Sequence, residues 1–213
     1  MAIAYDSSAK GTTTTSSLTF AHTCSGTNRI LFVAARFYQT DKITGITYNG
    51  TAMTFINKRQ DNAGNNCYIY LYYLLNPDTG TNNVVVSASA NPNIQMCAAS
   101  ASYTGVAQSG QPDSQTNKSS TSSTMTVTTT VVASNCWLFG ATSNFRATSA
   151  STGTTNRQQV AGDPFTISDS NGTVGTGSQS LVWTQSDSTI SSQTIASFSP
   201  AVDTFTPQAM WFM

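Results

Sequence analysis

His22 and Cys24 stand two residues apart in "AHTCSG", the one place in this sequence where a nucleophile and its base lie side by side. A thiol becomes a nucleophile when a neighbouring imidazole takes its proton. On a strand, residues i and i+2 point the same way. Nothing next to them in sequence would hold the imidazole, and Thr23 and Ser25 make the stretch read as an ordinary strand end.

The carboxylates offer little more. There are nine, all Asp. Glycoside hydrolysis needs two of them close in space, but Asp61, Asp78, Asp113, Asp163 and Asp169 sit in turn-like contexts such as "NPDTG" and "QPDS". Asp favours turns because its side chain mimics backbone hydrogen bonds. Two stretches have the oxygen-rich look of a calcium loop: "DSNGTVGTG" from Asp169 and "DNAGNN" from Asp61. Each brings one carboxylate, and neither has the spaced acids of an EF-hand. Cys24, Cys67, Cys97 and Cys136 form no CxxC pair, and His22 is the single histidine, so a zinc site is not expected. Three of the four lie in apolar segments, where a free Cys behaves as a small hydrophobe. No catalytic residue, metal or cofactor is expected, and the chain reads as a non-enzyme.

Aromatic side chains are better candidates for contact. In "CYIYLYYLL", Tyr68, Tyr70 and Tyr72 share one face of a strand, opposite Ile69, Leu71 and Tyr73. If that face is exposed, the tyrosines suit stacking on sugars or packing on a second subunit. If it meets another sheet, they are core. A second apolar group closes "DTFTPQAMWFM": Phe205, Met210, Trp211, Phe212 and Met213. Aromatic and Met side chains are enriched at interface cores. Pro207 breaks any helix and favours an extended segment, which could add to a neighbour's sheet edge or fold back over its own sheet.

Elements must position these residues, and the composition says which. Ser and Thr make up 64 of 213 residues, charged residues are 8%, net charge is zero and Glu is absent. Surface helices favour Glu and Lys; strands favour Thr. Period-two segments recur between turns: "SLTFAHT", "NRILFVAARFY", the hairpin "ITGITYNGTAMTFIN" with its Asn-Gly turn, "YIYLYYLL", "NVVVSASA", "QMCAASASYTG", "TMTVTTTVV", "NCWLFGATSNF", "SLVWTQ" and "QTIASFSP". "NRILFVAARFY" is apolar on both faces and reads as central. The polar run from Gln108 to Ser123 reads as a loop crossing between sheets. The expected fold is all-β: a two-sheet antiparallel sandwich, jelly-roll-like, over residues 1–200 as one domain, with an extended apolar tail at 201–213. Two immunoglobulin-like domains would demand an internal repeat, and none is legible.

The segments "SLTFAHTCSGTNRILFVAARF", "ITGITYNGTAMTFI", "YIYLYYLLNPDTGTNNVVVSAS", "AASASYTGVAQSGQPD" and "SLVWTQSDSTISSQTIASFSP" together resemble a jelly-roll-type β domain of tailed-phage and prophage virion proteins, also seen in some bacterial surface proteins. The resemblance spans about residues 2–200. It implies a structural protein of a virion surface, such as a capsid decoration or head-fibre protein, with capsid or other virion proteins and further copies of itself as partners. It implies no catalytic residues. The alternative is a carbohydrate-binding or adhesion module touching host-surface glycans. No Lys/Arg cluster marks a nucleic-acid or membrane surface. "MAIAYDSSAKG" lacks a basic region followed by an apolar one, so the expected location is a virion surface after synthesis in the host cytoplasm, or else extracellular.

Overall fold

A computed structural model describes residues 1–38, 41–61, 67–143, 148–160 and 165–202. The expected tail residues Phe205, Met210, Trp211, Phe212 and Met213 lie outside the described residues. Seventeen strands and no helix are present among those described.

The first nine strands are β1 (Ala4–Thr13), β2 (Ser17–Cys24), β3 (Ile30–Phe37), β4 (Ile43–Tyr48), β5 (Thr51–Ala52), β6 (Thr54–Gln60), β7 (Tyr68–Leu75), β8 (Gly80–Ala88) and β9 (Met96–Thr104). They form an inner sheet, β1-β9-β3-β7-β6, and an outer sheet, β2-β8-β4-β5. The next eight are β10 (Ser114–Ser120), β11 (Thr124–Val131), β12 (Trp137–Ser143), β13 (Thr148–Ala150), β14 (Thr155–Val160), β15 (Phe165–Asp169), β16 (Gly177–Gln185) and β17 (Ser191–Phe198). Their inner sheet is β10-β17-β12-β15-β14 and their outer sheet is β11-β16-β13. Every pairing is antiparallel.

The all-β antiparallel sandwich expected from the sequence is what forms, and it forms twice. Matching β1 with β10, β2 with β11, β3 with β12, and so on to β9 with β17 reproduces both strand orders; β5 alone has no counterpart. In each unit the first strand lies beside the last, and most connections cross between sheets, as in a jelly roll. There are thus four sheets rather than two, stacked in four layers. The run from Gln108 to Ser123, expected as a loop, contains the strand β10, which pairs with β17, so only the residues ahead of Ser114 connect the two units.

Three cores lie between the layers. Alternation decides which side chain enters which. On β3, Leu31, Val33 and Ala35 join the core under the first outer sheet, with Leu18, Ile46, Tyr48 and Val86. Ile30, Phe32 and Ala34 turn to the middle core, where the two inner sheets meet at Phe139, Phe165, Ile167 and Phe198. Leu138 and Ile195 face the third core with Met125, Val127, Leu181 and Trp183. This explains why β3, β12 and β17 are buried at every position and β9 at every position but Thr104: both faces are covered. On β2, with one covered face, exposed and buried residues alternate strictly.

Candidate functional site

Register makes the two units comparable residue by residue. Phe32 pairs with Ala101 and Phe139 with Ala196. Ser7 pairs with Ser102 and Ser114 with Ser197. Cys24 pairs with Gly80 and Val131 with Gly177, both glycines having positive φ, 85° and 91°. Asn28 and Asn135, each just ahead of the central inner strand, have φ of 50° and 59°, in the left-handed region that Asn tolerates. The second unit therefore serves as an internal control for any chemistry in the first.

The strongest chemical cluster of the first unit is built around His22. Its Nε2 lies 3.2 Å from Ser7 Oγ, and its Nδ1 2.8 Å from Ser100 Oγ. Asp6 accepts from Ser102 Oγ at 2.7 Å and from Ser25 N at 2.9 Å. Serine, histidine and aspartate thus lie together, but not as a catalytic triad. In a triad the carboxylate orients the ring and the serine proton is aimed at the other nitrogen. Here a serine holds Nδ1, and Ser7 Oγ donates to the Thr23 carbonyl. His22 is buried. Burial pushes its pKa down to about 4 against the opposing pull of the Asp6 charge, so it is neutral near pH 7.

The second unit repeats the network without a histidine. Asp113 accepts from Ser197 Oγ at 2.9 Å and from the Val132 and Ala133 amides at 2.9 Å each. Ser114 Oγ lies 2.7 Å from Ser197 Oγ and accepts from Thr129 Oγ1 at 2.9 Å. Thr129 fills the His22 position. A network that works equally with threonine ties β1 to β2 and β9; it is not arranged to move protons. Cys24 points inward beside His22, as expected for alternate strand residues, and is buried.

All four cysteines are free and buried. Burial raises the Cys24 and Cys67 thiols and pushes Cys97 to about 11 and Cys136 to about 12. They stay protonated near neutral pH and are poor nucleophiles.

Asp169, first residue of the candidate calcium loop, has no accessible surface. Its Oδ2 accepts from Arg157 Nε at 2.6 Å and Tyr103 Oη at 2.7 Å, and its Oδ1 from Asn171 N at 3.0 Å. The Arg157 guanidinium also lies 4.1 Å from the Tyr5 ring centroid. This carboxylate is committed to a cation and two donors, and it joins the units, because Tyr5 and Tyr103 come from the first and Arg157 and Asp169 from the second. In the other candidate loop, Asp61 is buried and accepts from Cys67 N at 3.0 Å; residues 62–66 lie outside the described residues. Among the described residues no group of three or more His, Cys, Asp or Glu side chains is placed to hold a metal.

The tyrosine stripe divides. Tyr70 and Tyr72 are buried between the first unit's sheets, Tyr70 donating to Asp41 Oδ1 at 2.6 Å. They are core side chains rather than a stacking platform, because a second sheet covers their face. Tyr68 is half-buried, its ring 6.2 Å from that of Tyr70.

At one end of the second unit lies an open groove of about 880 Å3, lined among others by Met1, Ile3, Ala133, Asn135, Pro200 and Val202. Sequence reasoning missed it, gave Arg157 and Tyr103 no role, and read Asp113 only as a turn residue. The only advance signals were the paired fragments "YDSS" and "QPDS", "NRILF" and "NCWLF", and "ASYTG" and "ASFSP".

No protein-family model matches this chain, no curated protein matches it, and no solved structure matches it. No helix among the described residues is long and apolar enough to cross a membrane.

Proposed function

We propose that this is a non-enzymatic structural protein of a phage virion surface, such as a capsid decoration or head-fibre protein, acting through protein–protein contacts. The observation that carries the reading is the doubled network. The one cluster with the elements of catalysis, around His22, recurs around Thr129 as scaffolding. What remains outside is neutral and hydroxyl-rich. Thr19 and Thr23 on β2, and Thr124, Thr128 and Thr130 on β11, are exposed on the outer sheets. Their hydroxyls pair across strands, Thr23 with Thr81 and Thr128 with Ser180, at 2.7 Å in each case. Such faces suit packing against other proteins more than any charged ligand. The residue-level resemblance to virion jelly rolls points the same way. The carbohydrate-binding alternative has less to stand on, since Tyr70 and Tyr72 are covered.

Immunogold labelling tests it on particles released by lysis of cells carrying this reading frame. Label on the particle surface is the expected result. Protein found in the lysate but absent from washed particles would reject the reading. Binding to a glycan array at micromolar concentration would favour the adhesion alternative.

A further inference from the structure

The layer between the units has two flanks related by the pseudo-symmetry, and they are filled with different chemistry. Where β14 meets β9, Val160, Cys97 and Ala99 belong to the middle core. Register places Arg59 where Val160 stands, Ser192 where Cys97 stands and Thr194 where Ala99 stands. These polar side chains turn into the same layer. Arg59 Nη2 donates to Ser119 Oγ of the other unit at 2.8 Å. Ser192 and Thr194 lie on the face of β17 that carries Ala196 into the middle core. Ser119 pairs with Ser192, and Asn117 with Thr194, so β6 sits over their hydroxyls. Polar atoms outnumber their partners here. Asn57 Nδ2 bonds the Gln115 and Thr116 oxygens. Asn57 Oδ1, Arg59 Nε, Ser192 Oγ and Thr194 Oγ1, however, are buried with no hydrogen bond. A buried polar group without a partner has lost its hydration for nothing, and it regains that hydration once water enters.

We propose that the molecule opens along the β6–β10 flank, its units parting there and pivoting on the β1–β14 flank while both outer cores stay closed. The pivot flank is built to hold. Its core is apolar, and Arg157 and Tyr103 meet on Asp169 across the units. Lys10 Nζ donates to the Gln159 carbonyl there. Backbone bonds tie the connection itself, Ala107 N to the Ser199 carbonyl at 3.0 Å and Ala201 N to the Gly105 carbonyl at 2.8 Å. Sub-global openings arise where buried apolar contact is thinnest, and the β6–β10 flank has polar atoms in its place. Opening hydrates Asn57, Arg59, Ser192 and Thr194, and it uncovers Cys67. The Cys67 thiol accepts from Arg36 Nε at 3.0 Å and lies 3.6 Å from Ser143 Oγ of the other unit, and Ser143 pairs with Ser192. The other three cysteines lie elsewhere: Cys97 in the core of the pivot flank, Cys24 and Cys136 in the two outer cores. The inference is independent of the virion reading and survives if that reading fails.

The four native thiols report on this directly. The full chain is treated with iodoacetamide at pH 8 without denaturant, and each cysteine is followed by peptide mass spectrometry. Each rate is divided by that of the same cysteine in the urea-unfolded chain. Cys67 should label at least tenfold faster than Cys97, Cys24 and Cys136. A gap of less than tenfold would place Cys67 behind the same barrier as the rest and overturn the proposal. Cys97 labelling as fast as Cys67 would mean that the whole layer parts, and would overturn the pivot. The double variant Ser192→Ala, Thr194→Val removes two of the partnerless hydroxyls and keeps the packing. It should narrow the gap at least fivefold, although neither residue adjoins Cys67 in sequence. Thr194→Ala alone, which installs the residue Ala99 supplies on the pivot flank, should narrow it in the same direction. A gap unchanged in both variants would show that Cys67 is reached by another route and overturn the assignment of the flank.

Discussion

His22 carries the clearest pH dependence in the molecule. Its folded pKa of about 4 lies below the 6.5 of an unperturbed histidine. Protons therefore bind the unfolded chain more readily between those values. The stabilising contribution is complete above about pH 6.5 and falls away as pH drops towards 4, amounting to up to about 3 kcal/mol. Urea unfolding at pH 7 and pH 4.5 should show the loss, and His22→Thr, which installs the residue of the second unit, should flatten it. Asp6 is the acid facing the ring, and Tyr48 packs edge-on at 6.3 Å. An unchanged slope in His22→Thr would mean that other groups titrate. Asp169 gives the opposite kind of test. Asp169→Asn leaves Arg157 without its anion in a site where the Arg157 side chain is 13% exposed. Breaking a buried pair from one side costs about 3–5 kcal/mol, readable as a lower urea midpoint at constant m-value.

Among the elements, β3 and β12 decide how the units meet. Phe32 and Phe139, equivalent by register, stack with centroids 4.8 Å apart and planes 14° from parallel. Tyr103 and Phe198, also equivalent, meet at 4.9 Å. On one flank, β1 meets β14 through Lys10 Nζ to the Gln159 carbonyl at 2.6 Å and Gln158 Nε2 to Ser8 Oγ at 3.0 Å. On the other, β6 meets β10 through Asn57 to Gln115 at 2.5 Å and Arg59 to Ser119 at 2.8 Å. Since β1 corresponds to β10 and β6 to β14, each contact is the image of the other. Equivalent residues touching at the centre and exchanged partners at the flanks define an isologous interface, here inside one chain. Phe32→Ala and Phe139→Ala should each cost about 3–5 kcal/mol. The double variant should cost about 0.5–1.5 kcal/mol less than their sum, because the pair also interacts as rings. Strict additivity in a double-mutant cycle would argue against the stack. Within the second unit, a compensating exchange keeps the third core full. Gly140 and Trp183 stand where Val33 and Val86 stand in the first; a Cβ on Gly140 would lie 2.6 Å from the Thr194 carbonyl oxygen.

At the scale of the whole molecule, pseudo-symmetry predicts that the unit boundaries are interchangeable. The Met1 amine lies 3.0 Å from the Ala201 carbonyl, so the two ends of the paired units are adjacent. A chain that starts at Gln108, runs to Met213 and continues through a short Gly/Ser linker from Met1 to Ala107 should fold to the same four layers. Matching far-UV circular dichroism, elution volume and a single cooperative unfolding transition are expected, because the middle core couples the units. Two separated transitions would show that the outer cores, not the shared one, set stability.

Strand class was legible because it depends on local pattern. Alternation in "SLTFAHTC", the Asn49-Gly50 turn and the scarcity of helix formers each act over a few residues. The burial of Cys67, Cys97 and Cys136, which lie in apolar segments, followed for the same reason. The pairing of strands far apart in sequence was not legible, and with it went the count of sheets. Phe32 meets Phe139, and Asp169 meets Tyr103, only after the sheets have stacked. The repeat hid because symmetry constrains backbone and volume more than residue type: His22 matches Thr129, and Val33 with Val86 matches Gly140 with Trp183. Tyr70 and Tyr72 showed the same limit, since a strand's sequence states that its two faces differ but not which face another sheet will cover. By itself the sequence determined an all-β chain with a neutral, hydroxyl-rich surface and no ready-made catalytic spacing. Tertiary structure decided that there are two units and that their inner faces meet, because those outcomes depend on long-range contacts that no local window contains.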